Sequence, residues 1–353
     1  MGENGVKASK LLLEADKKMK QGTSFFGLFG GNKCDEACEL YVKAANLFKI
    51  DKKWTEAGNA FLKAAELALS KCEYKHEAAT HFVDASNCFK KTNAEQAIDC
   101  LLKAINIYAE MGRFAMAAKY YMNVAELYES DDYDIEKAML YYEKAADYYK
   151  GEESKSSANK CILKVAQFAA QLLNYKKAAS LFEEVGTYSA ENALLKYGAK
   201  DHFFKAALCL LCLDVLDGKV AIKRYADKVP QFAESRECAL LNALTEAMEE
   251  NNADEFTNAV KELLIRLETG YCQLRFLVTG LHRSPHHSIG CSLISENGLK
   301  RVELSELPCS KSYGSQLWCI VILQAESRNR QELSINVEMR VEDPLKGTQH
   351  SSK

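Results

Sequence analysis

Proline is nearly missing from this chain: there are four in 353 residues, all at or after Pro230. Glycine is scarce as well, with only Gly58 and Gly112 between Asn32 and Lys150. These two residue types are the usual breakers of helices, so their scarcity leaves a long stretch free to be helical. Net charge is also low. The formal value of −3 excludes a strongly basic nucleic-acid binder by bulk composition, while leaving room for a local basic face. No apolar run approaches the roughly 18 residues of a membrane-spanning helix; the longest comparable one is "LWCIVIL", 317–323.

Catalytic signatures are absent too. There is no GxxxxGK[ST] phosphate loop, no GxSxG nucleophile turn and no HExxH metal motif, and "GLFGG", 27–31, is too apolar to cradle phosphate. Thirteen cysteines are spread along the chain without a signal-peptide pattern ahead of them, which fits a reducing cytoplasm better than a disulfide scaffold. "CLLC", 209–212, has the spacing of a redox pair but lies in the apolar helical run "KAALCLLCLDVL", so ordinary buried thiols are expected. The cluster His282, His286, His287 has no cysteine or carboxylate at a zinc-ligand spacing. An interaction protein without enzyme activity, metal or cofactor is expected.

What the chain does have is a beat. Alanine is followed four residues on by a large aromatic or aliphatic residue, and seven on by a small or β-branched one. Starts fall at Ala37, Ala57, Ala78, Ala97, Ala117, Ala138, Ala158, Ala178 and Ala199, separated by 19 to 21 residues. Positions i, i+4 and i+7 share one helical face, so each unit presents a small–large–small stripe that packs closely on its neighbours. A twenty-residue unit predicts about 13 to 15 residues of helix plus a turn, two units making a hairpin. The expected fold is all-α, a tetratricopeptide-like α-solenoid over roughly the first 260 residues. "EMGRF", 110–114, reads as an inter-helix turn with Gly112 in a left-handed conformation.

Ahead of the beat, an amphipathic helix from about Val6 to Lys20 places Leu12 and Ala15 toward a partner helix. Then comes "TSFFGLFGGN", 23–32, which sets Phe25, Phe26, Leu28 and Phe29 among glycines. Its large side chains either pack beneath the first hairpin or are kept exposed for an apolar surface. Lysines recur at Lys90, Lys91, Lys119, Lys160, Lys164 and Lys200, and a regular solenoid projects comparable positions onto one surface. Such a stripe suits an elongated acidic partner. Acidic residues gather later, where Glu246, Glu249 and Glu250 are spaced for one helical face, with Asp254 and Glu255 beyond. A generic tetratricopeptide-type scaffold that binds another protein or a peptide is the alternative reading.

The segments "SFFGLFGG", "EMGRFAMAAK", "DIEKAMLYYEKAADYYKGEES", "SSANKCILKVAQFAAQL", "LLKYGAKDHFFKAALC" and "SRECALL" closely resemble the soluble NSF attachment proteins, from near the N-terminus to about Glu262. The resemblance implies an adaptor that coats the SNARE complex, a syntaxin-type four-helix bundle, and recruits the NSF hexamer, the ATPase that takes the bundle apart during vesicle-mediated transport. It implies SNARE-binding roles for Arg113, Lys119, Lys160, Lys164 and Lys200, and NSF-binding roles for Asp214, Glu246, Glu249 and Glu250. It also implies membrane contact through Phe25, Phe26, Leu28 and Phe29, in a loop at 23–31, and hence a cytoplasmic protein peripherally associated with membranes. Full burial of each large apolar side chain contributes about 1.5–3 kcal/mol, an upper bound for a loop that grazes the interface.

After "NAVKEL" the resemblance stops. The implied organisation is a solenoid over 1–262 and an irregular, non-family tail over 263–353, disordered or weakly structured. From Gly270 onward there are six glycines and three of the four prolines, and "ELSINVEMRVED" alternates like an exposed strand. An alternative or misassigned terminal exon would account for so abrupt a break. In the family the last helices and a terminal leucine with acidic neighbours dock on NSF, so weakened NSF stimulation is the expectation here.

Overall fold

A computed structural model describes residues 2–22, 30–70, 74–130, 134–252, 254–256, 258–260 and 262. The apolar residues Phe25, Phe26, Leu28 and Phe29, the histidine cluster and the tail expected over 263–353 lie outside these. Among the described residues the chain forms α1 (Glu3–Gly22), α2 (Gly30–Ile50), α3 (Trp54–Leu69), α4 (Lys75–Phe89), α5 (Ala94–Glu110), α6 (Phe114–Ser130), α7 (Ile135–Gly151), α8 (Lys155–Gln171), α9 (Tyr175–Glu191), α10 (Lys196–Leu211), α11 (Val215–Lys228), the one-turn α12 (Pro230–Ala233) and α13 (Arg236–Glu249). Each helix from α1 to α10 packs on the next in the chain, as a solenoid of hairpins requires.

The repeated stripe forms the contacts between helices. All nine alanines that start the units are at most 1% exposed, and Phe61, Phe82, Leu101, Tyr142, Ile162, Phe182 and Phe203 are buried four residues after their alanines. Tyr121 is the exception. It is half-buried and stacks on Tyr141 at 6.1 Å between ring centroids, with Lys144 over its ring at 5.9 Å. In α1, Ala8 and Ala15 are fully buried and Leu12 packs against the core, as its amphipathic pattern predicts. Two glycines mark places where even alanine is too large. A Cβ on Gly58 would lie 2.7 Å from the ring of Phe89, and one on Gly218 only 2.3 Å from Cδ2 of Leu211.

Helices α5 to α9 are each 17 residues long, longer than the spacing predicts, because the turns between them are unusually compact. The N–H groups of Lys53, Arg113, Ser154, Asn174 and Asn252 donate to the carbonyls of Phe48, Tyr108, Tyr149, Ala169 and Ala247, five residues back, at 2.8–3.0 Å. This is the six-to-one bond of a Schellman turn, which reverses the chain within about three residues. It requires a left-handed residue just before the donor, and these are Lys52, Gly112, Glu153, Leu173 and Asn251, with φ between 52° and 68°. Side chains cap α5, α7, α9, α11 and α13, with Asn93, Asp134, Asn174, Asp214 and Ser235 each accepting from a backbone N–H of the first turn.

Cys209 and Cys212 are buried inside α10 and its end, and burial pushes both thiols far above the ordinary range, so neither is a ready nucleophile or ligand.

Only Gly112 among the five left-handed positions is free of the steric cost of a Cβ, about 1–2 kcal/mol. Leu173 is 53% exposed and makes little packing contribution to set against it. Leu173→Gly is therefore expected to raise the unfolding free energy by about 0.5–1 kcal/mol, after the added unfolded-chain entropy is deducted. Gly112→Ala is expected to lower it by about 1 kcal/mol. Urea denaturation of the two variants beside the parent checks both signs.

Candidate partner-binding face

A solenoid of antiparallel hairpins stacks its odd-numbered helices in one layer and its even-numbered helices in another. The odd layer is laced by ion pairs that skip one helix. Lys63 of α3 meets Asp16 of α1 at 3.1 Å, and Lys150 of α7 meets Glu184 of α9 at 3.1 Å. Lys177 of α9 reaches back to Glu143 of α7, Arg224 of α11 meets Glu183 of α9 at 2.8 Å, and Lys219 of α11 meets Glu249 of α13 at 2.6 Å. Each of these partly exposed pairs contributes at most about 1 kcal/mol, so their importance is geometric: each ties one odd-numbered helix to the next in its layer.

The basic residues singled out in the sequence sit differently. Lys119 is on α6, Lys160 and Lys164 are on α8, Lys200 is on α10, and Arg113 is in the turn before α6. All four lysines thus belong to alternate helices of one layer. Arg113, Lys119 and Lys160 are exposed and make no ion pair among the described residues. Lys164 and Lys200 are already engaged. The ammonium of Lys164 donates to Oε1 of Glu129 at 2.5 Å, and the phenol of Tyr142 donates to Oε2 of the same carboxylate at 2.8 Å. Burial, reinforced by that hydrogen bond, pushes the Tyr142 phenol far above its ordinary range. Lys200 lies 3.6 Å from Glu237 of α13, whose side chain is 14% exposed. A shallow cleft of about 330 Å³ runs past Lys160, Lys164, Tyr142 and Glu126 between α6, α7 and α8.

One feature of this layer escaped sequence reasoning. The connector between α9 and α10 exposes Leu194 at 90%, and the first turn of α10 exposes Tyr197 at 70%, one turn from Lys200. Apolar residues in an alanine-rich helical run read as core, and only the mixture "ENALL", which fits the beat poorly, marks them as outside it.

The acidic residues gather at the other end of the described chain. Asp214 N-caps α11, its carboxylate accepting from the N–H groups of Leu216 at 2.8 Å and Asp217 at 3.0 Å. Glu246 and Glu250 are exposed near the end of α13, whereas Glu249 turns to Lys219. Because Lys219 is in the first turns of α11, that ion pair brings the turn holding Asp214 beside the end of α13. The last turn of α13 has no basic residue, although a helix C-terminus favours cations and disfavours carboxylates.

No helix among the described residues is long and apolar enough to cross a membrane. Comparison with known proteins matches residues 6–263 to the family model for the soluble NSF attachment protein, SNAP. The alpha-soluble NSF attachment protein of Mus musculus is 56% identical over 259 residues, covering 73% of this chain and 88% of that protein. Its Homo sapiens counterpart is 55% identical over 259 residues, covering 73% and 88%. The beta-soluble NSF attachment protein of Bos taurus is 54% identical over 257 residues, covering 72% and 86%. With over half of its residues shared along the helices just described, the chain belongs to the soluble NSF attachment protein family.

Proposed function

We propose that this chain is a non-enzymatic adaptor that binds SNARE complexes and recruits NSF for their disassembly, acting in the cytoplasm at membrane surfaces. The observation that carries the reading is family membership across residues 6–263, the same span that bears the two charged faces. The even-numbered layer supports it: Arg113, Lys119 and Lys160 are uncommitted cations on a rigid spacing, as a long acidic helical bundle requires. Lys164 and Lys200 join them by exchanging Glu129 and Glu237 for carboxylates of the bundle, and Leu194 and Tyr197 add an apolar contact beside Lys200. Asp214, Glu246, Glu249 and Glu250 form the face toward NSF.

The apolar loop residues Phe25, Phe26, Leu28 and Phe29 act as a weak membrane anchor, strengthened when several copies sit on one membrane-bound bundle. No nucleic acid is involved. The body is 1–262, and the segment 263–353 is a divergent tail that reduces stimulation of NSF. A compact peptide-clamping scaffold has no comparable support, since the uncommitted cations are spread over α6 and α8 rather than gathered in one pocket.

Lys119→Glu/Lys160→Glu is expected to weaken binding to the four-helix bundle by roughly tenfold or more, with an effect that shrinks as salt rises. Equilibrium binding at two ionic strengths measures this, and unchanged affinity at low salt would remove the assignment of this face. Replacing Phe25, Phe26, Leu28 and Phe29 by serine is expected to abolish co-sedimentation with liposomes while leaving bundle binding in solution intact. The role of the tail is read from NSF-driven disassembly. The full chain is expected to be slower than a chimera carrying the C-terminal residues of the Mus musculus relative after Glu262, and equal rates would show that the tail does not impair coupling.

A further inference from the structure

Of the five cations assigned to the bundle, Lys164 is the one that the chain itself already holds by a hydrogen bond to a carboxylate. Glu129, in the last turn of α6, accepts the Lys164 ammonium on Oε1 at 2.5 Å. Its other oxygen, Oε2, accepts the phenol of Tyr142 of α7 at 2.8 Å. Tyr142 is buried and stacks on Phe168 of α8 at 5.9 Å between ring centroids, so the donor that holds Glu129 is itself fixed by the core. The side chains of Lys164 and Glu129 are 33% and 32% exposed, which leaves both within reach of another molecule. Lys200 differs, lying 3.6 Å from Glu237, beyond hydrogen-bond length. Arg113, Lys119 and Lys160 have no ion pair among the described residues. Glu126, one turn before Glu129, lines the same cleft as Lys160 and Lys164 and is exposed, also without an ion pair among the described residues.

We propose that Glu129 is a built-in competitor for Lys164, which lowers the affinity for the helical bundle and speeds its release; this rests on the reading of the even layer as the bundle-binding face. A lysine paired with a carboxylate presents no net charge to an acidic surface. To take up a carboxylate of the bundle it must leave Glu129, and Glu129 then stands as a negative charge beside an acidic partner. Tyr142 keeps one hydrogen bond on that carboxylate after Lys164 has gone, so the exchange does not strand it. A partly exposed pair of this kind corresponds to about a two- to fivefold difference in an equilibrium constant. That is small enough for a bundle that also engages Arg113, Lys119 and Lys160 to displace it. As the bundle loosens, Glu129 recaptures Lys164 readily, because both are on one chain and their effective concentration is high. An adaptor that has to let go of a bundle once it has come apart is served by such a contact, and affinity changes within one interface appear mainly in the dissociation rate.

The test uses the full chain and a soluble, fluorescently labelled bundle, with affinity and dissociation rate both measured. Glu129→Gln keeps the size of the side chain and an acceptor for Tyr142 while freeing Lys164, and thermal unfolding verifies the fold. Affinity is expected to rise about two- to fivefold, mostly through slower dissociation. Removing any negative charge near an acidic partner helps somewhat, and Glu126→Gln, with the same charge change one turn away, measures that background; its gain is expected to be smaller. In a chain that also carries Lys164→Gln, the gain from Glu129→Gln is expected to shrink to that background. An unchanged or lower affinity of Glu129→Gln, an equal gain from Glu126→Gln, or a full gain without Lys164 would overturn the competitor. Lys119→Glu/Lys160→Glu, run in parallel, tests the face itself. Were that variant to bind normally while Glu129→Gln still gained through Lys164, the reading of the wider face would fall and the competitor would stand.

Discussion

The fold depends on how closely its helices approach. A column of alanines with no accessible surface lets neighbouring backbones come together, and the aromatic or aliphatic residue one turn later fills the space that remains. Close packing of this kind tolerates little change in volume. At Gly58 and Gly218 a single added carbon would meet Phe89 or Leu211 well inside contact distance, so those positions fix the spacing of α3 on α4 and of α11 on α10. Buried apolar area provides the stabilising term, but the alanine column determines the separation at which that area is buried.

A fixed separation makes the surface periodic, and periodicity is what allows charges to be sorted. Side chains one helix apart in the same layer recur at similar places, so Lys63, Lys177 and Arg224 find carboxylates on the helix two before their own. The same repetition in the even layer leaves Lys119 and Lys160 without an ion-pair partner among the described residues. The two layers differ in degree although they share one repeat. Ion pairs that skip one helix recur along the odd layer, while the even layer has Lys164 with Glu129. Cations held at such spacing favour fast association with a complementary acidic surface.

Much of this was legible in the sequence because one period of about twenty residues repeats nine times, and a repeat that long forces both helix positions and buried faces. The left-handed residue at Gly112 was legible for the same reason, glycine being its usual occupant. Leu173 and Glu153 were not, since nothing in a leucine or a glutamate announces positive φ; the six-to-one hydrogen bonds and the packing of the next helix impose it. The cationic positions could be placed on their helices, but the engagement of Lys164 by Glu129 and of Lys200 by Glu237 could not, because each partner lies 35 or 37 residues away on another helix. Asp214 was read as a partner-facing acid, and its carboxylate also holds the first turn of α11. Tyr121 kept the spacing of a core residue and became part of a tyrosine stack at the edge of the core.

Local rules that a sequence breaks without compensation carry information about function. Five helix starts here obey the rules, with Asn, Asp or Ser accepting a backbone hydrogen bond at the N-cap. The end of α13 shares with several other helices the lack of a basic residue and adds three carboxylates to it. Glu246, Glu249 and Glu250 stand where the macrodipole disfavours negative charge, no basic residue lies in that turn, and Lys219 of α11 offsets one of the three. Folding gains nothing from this arrangement, and the penalty of a few tenths of a kcal/mol per exposed charge is small enough to be retained if another molecule removes it. A cationic surface docking on Glu246 and Glu250 would do so, and the same consideration holds for the uncommitted cations of the even layer. The residues that the fold leaves electrostatically unsatisfied are therefore the ones we propose its partners complete.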